Sequence, residues 1–154
     1  MSAQERAHTA LGVCVHVRRR NRHDFTDEDV ADLAQVSSIL KGLMKVLAGS
    51  GRPYELRVFS QGSVADFAEL AIDERTLCLD ADPLWTMREL VEADLLVTTA
   101  GTFSYVAGLL CDGAVLADPR QFPLQPDWQA YDARGNFDEA ALQRRLERLR
   151  SEAA

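Results

Sequence analysis

The segment DLLVTTAGTFSYVAGLL, residues 94–110, contains one complete strand-to-helix unit. Its first part, DLLVTT, is a short apolar run typical of a buried strand, and its second part, TFSYVAGLL, is a helix candidate. Gly101 lies in the turn between them, with hydroxyl side chains on either side. We therefore predict a strand up to Thr99 and a helix from Thr102.

Strand and helix candidates alternate on both sides of this unit. The other strand candidates are LGVCVHV, YELRVFS, RTLCLD and GAVLAD, which begin at residues 11, 54, 75 and 113. The longest helix candidate lies within residues 25–51, with a Thr26–Asp29 capping box at its start and Gly49–Gly51 at its end. The shorter ones are VADFAEL, PLWTMRELVEA with Pro83 at its start, and DEAALQRRLERLR with Leu142, Leu146 and Leu149 on one face.

This alternation predicts an α/β fold, in which right-handed crossovers build a parallel sheet of about five strands with helices on both faces. We expect residues 1–154 to form a single Rossmann-like domain. Within it, residues 1–10 are interpreted as an N-terminal tail and residues 137–150 as a C-terminal helix. Residues 119–136, which hold three of the five prolines, are interpreted as an irregular loop.

Composition narrows the classes of function and location. The formal net charge of -7 argues against a nucleic-acid binder, which needs a surplus of Lys and Arg to displace counterions. Cys14, Cys78 and Cys111 lie far apart, without the spacing of a zinc site, so we expect no metal and a reducing, cytoplasmic setting. MSAQERAHTA lacks the apolar core of a signal peptide, and Leu95–Leu110 is too short for a membrane span.

Polar side chains follow four of the predicted strands. Because ligands of open parallel sheets bind beyond the carboxyl ends of the strands, these side chains are the candidates for a binding site. They are His16, Arg18 and Arg19 after the first strand, Ser60 and Gln61 after the second, Asp80 and Asp82 after the third, and Thr98–Ser104 after the fourth.

Arginines dominate the end of the first strand. Arg18 or Arg19 has the chemistry of a diphosphate clamp, because the planar guanidinium group can hold two phosphate oxygens at once. Together with Arg20 and Arg22, the same residues could instead form a solvated charged loop. His16 is interpreted as a histidine packed in the core.

The turn TTAGTFS offers backbone amides at a helix start, which attract phosphate through hydrogen bonds and the helix dipole. Thr102 and Ser104 could add hydroxyl donors, and Asp82 could accept hydrogen bonds from a ribose or a base. We favour the plainer roles, in which Thr102 and Asp82 cap the helices beside them. Trp85 and Trp128 are interpreted as packing residues. The motifs GxGxxG and GxxxxGK[ST] are absent, which argues against an NAD-dependent enzyme and a P-loop NTPase.

Taken in order, these motifs resemble the C-terminal donor-binding half of GT-B fucosyltransferases of the α1,2, α1,6 and protein O-fucosyltransferase group and their bacterial and algal relatives. The resemblance covers the chain from about Leu11 to the closing helix. Its points of contact are HVRR at 16–19, VFSQGSVADFAEL at 58–70, ADLLVTTAGTFSYVAGLL at 93–110 and, more weakly, PLQPDW at 123–128. The chain departs from the family pattern at Arg20 and Asn21, where Gly-Asp is usual, and at Gly101, where serine is common.

The resemblance implies a donor site for a nucleotide sugar, with GDP-fucose favoured and no cofactor. By it, Arg18 is the catalytic diphosphate clamp, which stabilises the leaving group electrostatically. The residues implied to bind the substrate are His16, Arg19, Ser60, Gln61, Asp82, Thr102, Phe103 and Ser104. Because GT-B enzymes work between two domains, the resemblance also implies a partner chain or a homodimer that supplies the acceptor site. The alternatives are a non-catalytic nucleotide- or phosphate-binding module and a plain interaction domain.

Overall fold

Six parallel strands form one sheet in the computed structural model, which describes residues 10–19 and 31–153. The strands are β1 (Leu11–His16), β2 (Tyr54–Ser60), β3 (Leu77–Leu79), β4 (Leu95–Thr98), β5 (Ala114–Ala117) and β6 (Gln129–Ala130). The helices are α1 (Leu33–Gly49), α2 (Pro83–Val91), α3 (Thr102–Leu110) and α4 (Glu139–Ala153), with 3-10 helices at Val64–Leu70 and Glu74–Thr76. The strand order is β3-β2-β1-β4-β5-β6, with every neighbouring pair parallel.

Side chains that alternate along the strands build two apolar cores, one on each face of the sheet. Val13 and Val15 of β1 face the core that α1 and α4 cover, to which α4 contributes Leu142 and Leu146. Cys14 projects to the opposite face. There, the residues that pack with it from α2, α3 and the central strands are Leu90, Ala107, Leu96 and Val115. The predicted α/β fold, with a Rossmann-like parallel sheet between two helical layers, is confirmed.

The sheet has one strand more than expected, because β6 lies inside the segment predicted to be an irregular loop. Its two residues pair with Leu116 and Ala117 of β5. Tyr131 follows it, fully buried, and its hydroxyl donates a hydrogen bond to the carbonyl oxygen of Thr98 over 2.8 Å. This hydrogen bond fixes the residue that follows β6 to the end of β4. With only two residues, β6 is too short to show a periodic pattern, so the sequence did not predict it.

The rest of residues 119–136 includes the PLQPDW motif, and part of this segment packs on α3. Phe122 stacks on Tyr105 with ring centroids 4.5 Å apart, and Trp128 meets the same ring edge-on at 5.5 Å. Trp128 also lies against Gly108, where any β-carbon would come within 2.9 Å of the indole. The packing role predicted for Trp128 is confirmed, and the segment fixes α3 in place.

Two helices begin at other residues than predicted, because each is capped by an aspartate that was not predicted as its cap. Asp32 accepts a hydrogen bond from the Ala34 amide over 2.9 Å and caps α1. The predicted Thr26–Asp29 capping box lies outside the described residues. At the closing helix, the start moves from 137 to 139, since Asp138 accepts a hydrogen bond from the Ala141 amide. No helix within the described ranges is long and apolar enough to cross a membrane.

Candidate functional site

The strand order reverses between β1 and β4, so the carboxyl ends of these two central strands flank a crevice. Thr99 joins the two ends through its hydroxyl group. Its Oγ1 accepts a hydrogen bond from the Arg18 amide over 2.9 Å and donates one to the carbonyl oxygen of His16 over 2.8 Å. Because Thr99 is buried, these bonds hold the end of β1 against the end of β4.

The backbone around Arg18 is fixed from several directions. Its carbonyl oxygen accepts a hydrogen bond from the Ala31 amide over 2.8 Å. The preceding residue, Val17, donates its amide hydrogen to Phe59 of β2 and accepts a hydrogen bond from the Ser60 hydroxyl over 2.7 Å. The Arg18 side chain therefore projects from a backbone whose position the sheet determines, as a preorganised binding group requires.

A pocket of about 420 Å³ lies at this edge of the sheet. It brings together six of the nine residues proposed from the sequence, namely His16, Arg18, Arg19, Ser60, Gln61 and Phe103. Two arginines on one wall give the pocket a local positive charge in an otherwise acidic chain. The pocket is thus suited to an anionic ligand.

The N-terminus of α3 adjoins this pocket and has no side-chain cap. Gly101 is the N-cap residue, with φ +99° and ψ 158°, a conformation that almost only glycine adopts. The Thr102 capping role predicted from the sequence is therefore wrong, because Thr102 is already the first helical residue and its side chain is exposed. The side chain of Arg18 runs beside Gly101, with its Cδ 3.5 Å from where a β-carbon of residue 101 would lie. A guanidinium side chain and a helix N-terminus thus come together.

Ser104 lies in the first turn of α3, is completely buried and does not line the pocket. Its hydroxyl oxygen has no hydrogen-bond partner among the described residues. A buried hydroxyl without a partner destabilises a folded protein by about 1–3 kcal/mol, so the Ser104 hydroxyl is an energetic cost at the start of α3.

His16 packs against Phe103, with ring centroids 5.4 Å apart. Its Nδ1 atom is buried and has no hydrogen-bond partner among the described residues. Burial, together with the nearby positive charge of Arg18, lowers the pKa of His16 to about 4. The imidazole is therefore neutral at neutral pH. It lines the pocket and can exchange one hydrogen bond with a ligand.

The shifted pKa of His16 predicts a specific acid sensitivity. The folded protein binds a proton at His16 less tightly than the unfolded chain does. The free energy of unfolding is therefore fully retained above about pH 6.5 and decreases as the pH falls towards 4. The contribution is at most about 3 kcal/mol. Urea unfolding of the wild type and of His16→Gln at pH 7 and at pH 4.5 measures it. The variant should lose less stability between the two pH values, and equal losses would contradict the assignment.

Arg19, Ser60 and Gln61 occupy different parts of the pocket. The guanidinium of Arg19 lies over the ring of Phe67, 5.4 Å from its centroid, in a cation–π contact. Ser60 uses its hydroxyl to hold the Val17 carbonyl, so it positions β1. Gln61 is exposed at the rim.

Asp82 is positioned as a helix cap rather than as a pocket residue. Its carboxylate accepts a hydrogen bond from the Trp85 amide over 2.9 Å at the start of α2. The capping role favoured from the sequence is confirmed. Asp80 lines the pocket instead, in a left-handed conformation with φ +51°. The sequence placed Asp80 among the polar residues that follow the strands. Its position directly after the third strand is the feature that favours Asp80 over Asp82 as a pocket residue.

The remaining lining residues come from the second and third strands and from the start of α2. They include Phe59, Cys78, Pro83 and Thr86, which give that side of the pocket a mainly apolar wall. Sequence reasoning did not select Phe59 and Thr86 because both are buried within their elements, and it assigned Pro83 only to the start of a helix. The predicted packing role of Trp85 agrees with its contact to Phe59, at 5.5 Å between centroids.

No protein-family model, curated protein or solved structure matches this chain. Within the part of the chain that the structure describes, no group of three or more His, Cys, Asp or Glu side chains could hold a metal ion.

Proposed function

We propose that this pocket binds a nucleoside diphosphate sugar and that the chain is the donor half of a fucosyltransferase-like glycosyltransferase. The observation that supports it most directly is the meeting of Arg18 with the uncapped N-terminus of α3 at the crevice between β1 and β4. Both groups attract phosphate oxygens, and they lie where open parallel sheets bind ligands. GDP-fucose is the favoured donor, because HVRR and TTAGTFS resemble the motifs of that enzyme group.

The two sides of the pocket favour one orientation of the ligand. Arg18 and the start of α3 offer positive charge on one side, where the diphosphate would bind. Phe59, Cys78 and Pro83 form the apolar side, against which a planar base could pack. Asp80 is the carboxylate at this end, where it could accept hydrogen bonds from the base or the ribose.

In the proposed reaction, the sugar passes to an acceptor hydroxyl group and the nucleoside diphosphate leaves. Arg18 would stabilise the charge that develops on the departing diphosphate, without a covalent intermediate on the protein. His16, which is neutral, would donate or accept a hydrogen bond beside it. The acceptor site would come from a partner chain or a second copy. Free cysteines at 14, 78 and 111 agree with the reducing cytoplasmic setting that we propose.

A non-catalytic nucleotide-binding module is the second candidate. It is favoured by the small number of acid–base groups in the pocket, where Asp80 is the one carboxylate among the described lining residues. Turnover of GDP-fucose, measured by mass spectrometry with and without candidate partner chains, separates the two. Transfer or hydrolysis of the sugar supports the enzyme, and tight binding without turnover under all conditions supports the module.

Thermal unfolding in the presence of nucleoside diphosphates and their sugars tests the proposed ligand class. At a ligand concentration about 100 times Kd, binding stabilises the folded state by about 2.7 kcal/mol. For a domain of this size, that corresponds to a rise in Tm of roughly 5–10 °C. Absence of any shift with GDP, UDP or their sugars would leave a plain interaction domain as the explanation.

Ser104→Ala tests whether ligand binding draws on the Ser104 hydroxyl, which is buried next to the lining residue Phe103. Removing the unpartnered hydroxyl should leave the free protein as stable as the wild type or slightly more stable, by up to about 1 kcal/mol. The same variant should show a smaller Tm shift with the ligand. Ser60→Ala is the control for the change in stability alone, because its hydroxyl is already bonded to Val17 and its loss should destabilise the free protein. A Ser104→Ala variant that loses stability and keeps full ligand response would contradict a ligand role for Ser104.

A further inference from the structure

Thr99 connects the two central strands at the point where their backbone pairing stops. The ladder between β1 and β4 ends with the pair His16 and Thr98, because the chain then turns through Gly101 into α3. Beyond that pair, a side chain takes the place of the β4 backbone as hydrogen-bond partner. The Thr99 hydroxyl donates to the His16 carbonyl over 2.8 Å and accepts from the Arg18 amide over 2.9 Å. Thr99 therefore extends the contact between the two strands by two residues of β1.

The other edge of the same stretch is fixed by β2. Val17 donates its amide hydrogen to the Phe59 carbonyl over 2.8 Å, and its own carbonyl accepts a hydrogen bond from the Ser60 hydroxyl over 2.7 Å. Backbone groups of successive strand residues point to opposite neighbours, so those of the residues before and after Val17 are directed to the β4 side. Loss of the Thr99 hydroxyl would release this β4 side and leave the β2 side in place.

Thr99 is also tied to the start of α3 through the chain itself. Only Ala100 separates it from Gly101, the N-cap residue of that helix. Thr99 and Ala100 are buried, with 5% and 8% of their surfaces exposed, so water has little access to replace a lost hydrogen bond. One buried side chain thus sets the backbone of Arg18 relative to the first amides of α3.

We propose that Thr99 is the positioning residue of the anion site, which holds the backbone of Arg18 at a fixed place beside the N-terminus of α3. The role rests on the proposed function, because it assumes that Arg18 and the first amides of α3 bind the same diphosphate group. Two groups that share one ligand bind it tightly only when their separation is correct before the ligand arrives. Thr99 does not line the pocket, so it acts on the ligand through Arg18.

Threonine suits this position because its hydroxyl is both a donor and an acceptor of hydrogen bonds. Valine has nearly the same shape but neither function, so Thr99→Val would deprive the Arg18 amide and the His16 carbonyl of this buried partner. Serine keeps the hydroxyl on an equally short side chain. The two substitutions therefore separate the hydrogen bonds of residue 99 from its size.

Inorganic pyrophosphate and GDP are the probes, because pyrophosphate presents the diphosphate without a base or a sugar. Thr99→Val should raise the Kd for both at least about tenfold, since a binding group that shifts by about 1 Å loses its preorganised geometry. Thr99→Ser should bind both within about threefold of the wild type, since it retains a hydroxyl for both hydrogen bonds. Isothermal titration measures the four Kd values. Equal affinity of Thr99→Val and the wild type for pyrophosphate would overturn the proposal.

Leu146→Ala controls for a general loss of stability. Leu146 belongs to the core that α4 covers and does not line the pocket. Its replacement should lower Tm and leave both Kd values unchanged at a temperature where every variant is folded. If Leu146→Ala weakened binding as much as Thr99→Val, affinity would follow stability alone and Thr99 would have no specific role.

Circular dichroism establishes that Thr99→Val folds. If it does not, Thr99→Cys takes its place, because a thiol is a weak donor and a weak acceptor of similar size. This variant should raise the Kd for pyrophosphate at least about threefold, and an unchanged Kd would count against the proposal in the same way.

A double-mutant cycle with Arg18 tests the route of the effect. If Thr99 acts through Arg18, the variant with both Arg18→Ala and Thr99→Val should bind pyrophosphate about as weakly as Arg18→Ala alone. Losses that multiply would show that Thr99 supports the pocket by another route, which would contradict the positioning role. Hydrogen exchange of the Arg18 amide gives a readout without ligand. It should become faster in Thr99→Val and stay slow in Thr99→Ser.

The two probes also separate this role from the proposed function. A wild type that binds pyrophosphate but not GDP, with weaker pyrophosphate binding in Thr99→Val, would contradict the nucleotide site and support the role of Thr99. Binding of both probes with no effect of Thr99→Val would overturn the role of Thr99 alone. A wild type that binds neither probe would overturn both.

Discussion

Replacing Arg18 with alanine is expected to raise the Kd for a nucleoside diphosphate about a hundredfold, or about 3 kcal/mol. The guanidinium projects from a backbone that Thr99 and Ala31 hold on both sides, so little ordering is needed when the ligand binds. In the free protein, the variant should also raise the pKa of His16, because one of the two causes of its low value disappears. Isothermal titration with GDP and NMR titration of the imidazole measure these two effects.

Two further variants separate specific phosphate binding from a general effect of charge. Arg148→Ala removes one positive charge from an exposed position on α4 and should leave the affinity unchanged. Arg18→Lys keeps the charge but loses the planar fork, so it should recover only part of the binding. Unchanged affinity of Arg18→Ala for GDP would contradict the phosphate-binding role proposed for Arg18.

The positions of the central strand ends could be predicted from the sequence. LGVCVHV and DLLVTT are apolar runs that stop at polar residues, and those stopping points follow directly from the burial of a parallel sheet. Both ends flank the crevice, so the two strongest motifs, HVRR and TTAGTFS, are neighbours although about 80 residues separate them. Short apolar runs and the topology of a parallel α/β sheet together account for this placement of the two motifs.

Features that depend on contacts between distant residues were not predictable. The two residues of β6 form a strand because Tyr131 is anchored to Thr98, which no local pattern reveals. The choice between Asp80 and Asp82 depends on which carboxylate the start of α2 uses as its cap. Threonine is a preferred N-cap residue, but Gly101 occupies the N-cap position of α3 and Thr102 is the first residue of the helix. In each case, tertiary geometry decides between two locally reasonable roles.

The region around the proposed site also contains buried polar groups that destabilise the free protein. Ser104 buries a hydroxyl without a partner, and His16 buries a ring nitrogen in the same condition, within the described residues. The buried hydroxyl groups of Ser60, in the pocket, and of Tyr131, in the core, are by contrast bonded to backbone carbonyls. Buried atoms without a partner also occur at Gln129 of β6 and Arg145 of α4, so among these groups His16, which lines the pocket, is the one that bears on ligand binding.

Gly101→Ala is expected to affect stability and binding together. At φ +99° and ψ 158°, a β-carbon adds about 1–3 kcal/mol of backbone strain, which lowers Tm by roughly 2–12 °C. The space itself is sufficient, because the nearest atom to that β-carbon is Arg18 Cδ at an ordinary contact distance of 3.5 Å. Strain relief would therefore occur by rotation of the turn, which moves the amides of α3 away from Arg18. Differential scanning calorimetry with and without GDP measures both effects.

Gly49→Ala is the matched control for this substitution. Gly49 is the last residue of α1, where an added β-carbon would meet only Gln143 at 3.5 Å, so alanine should be neutral or slightly stabilising. If Gly101→Ala loses stability and still binds GDP like the wild type, the conformation of the turn serves the fold alone. If both are lost while Gly49→Ala keeps both, the conformation of Gly101 is what orients the first amides of α3 towards the proposed ligand.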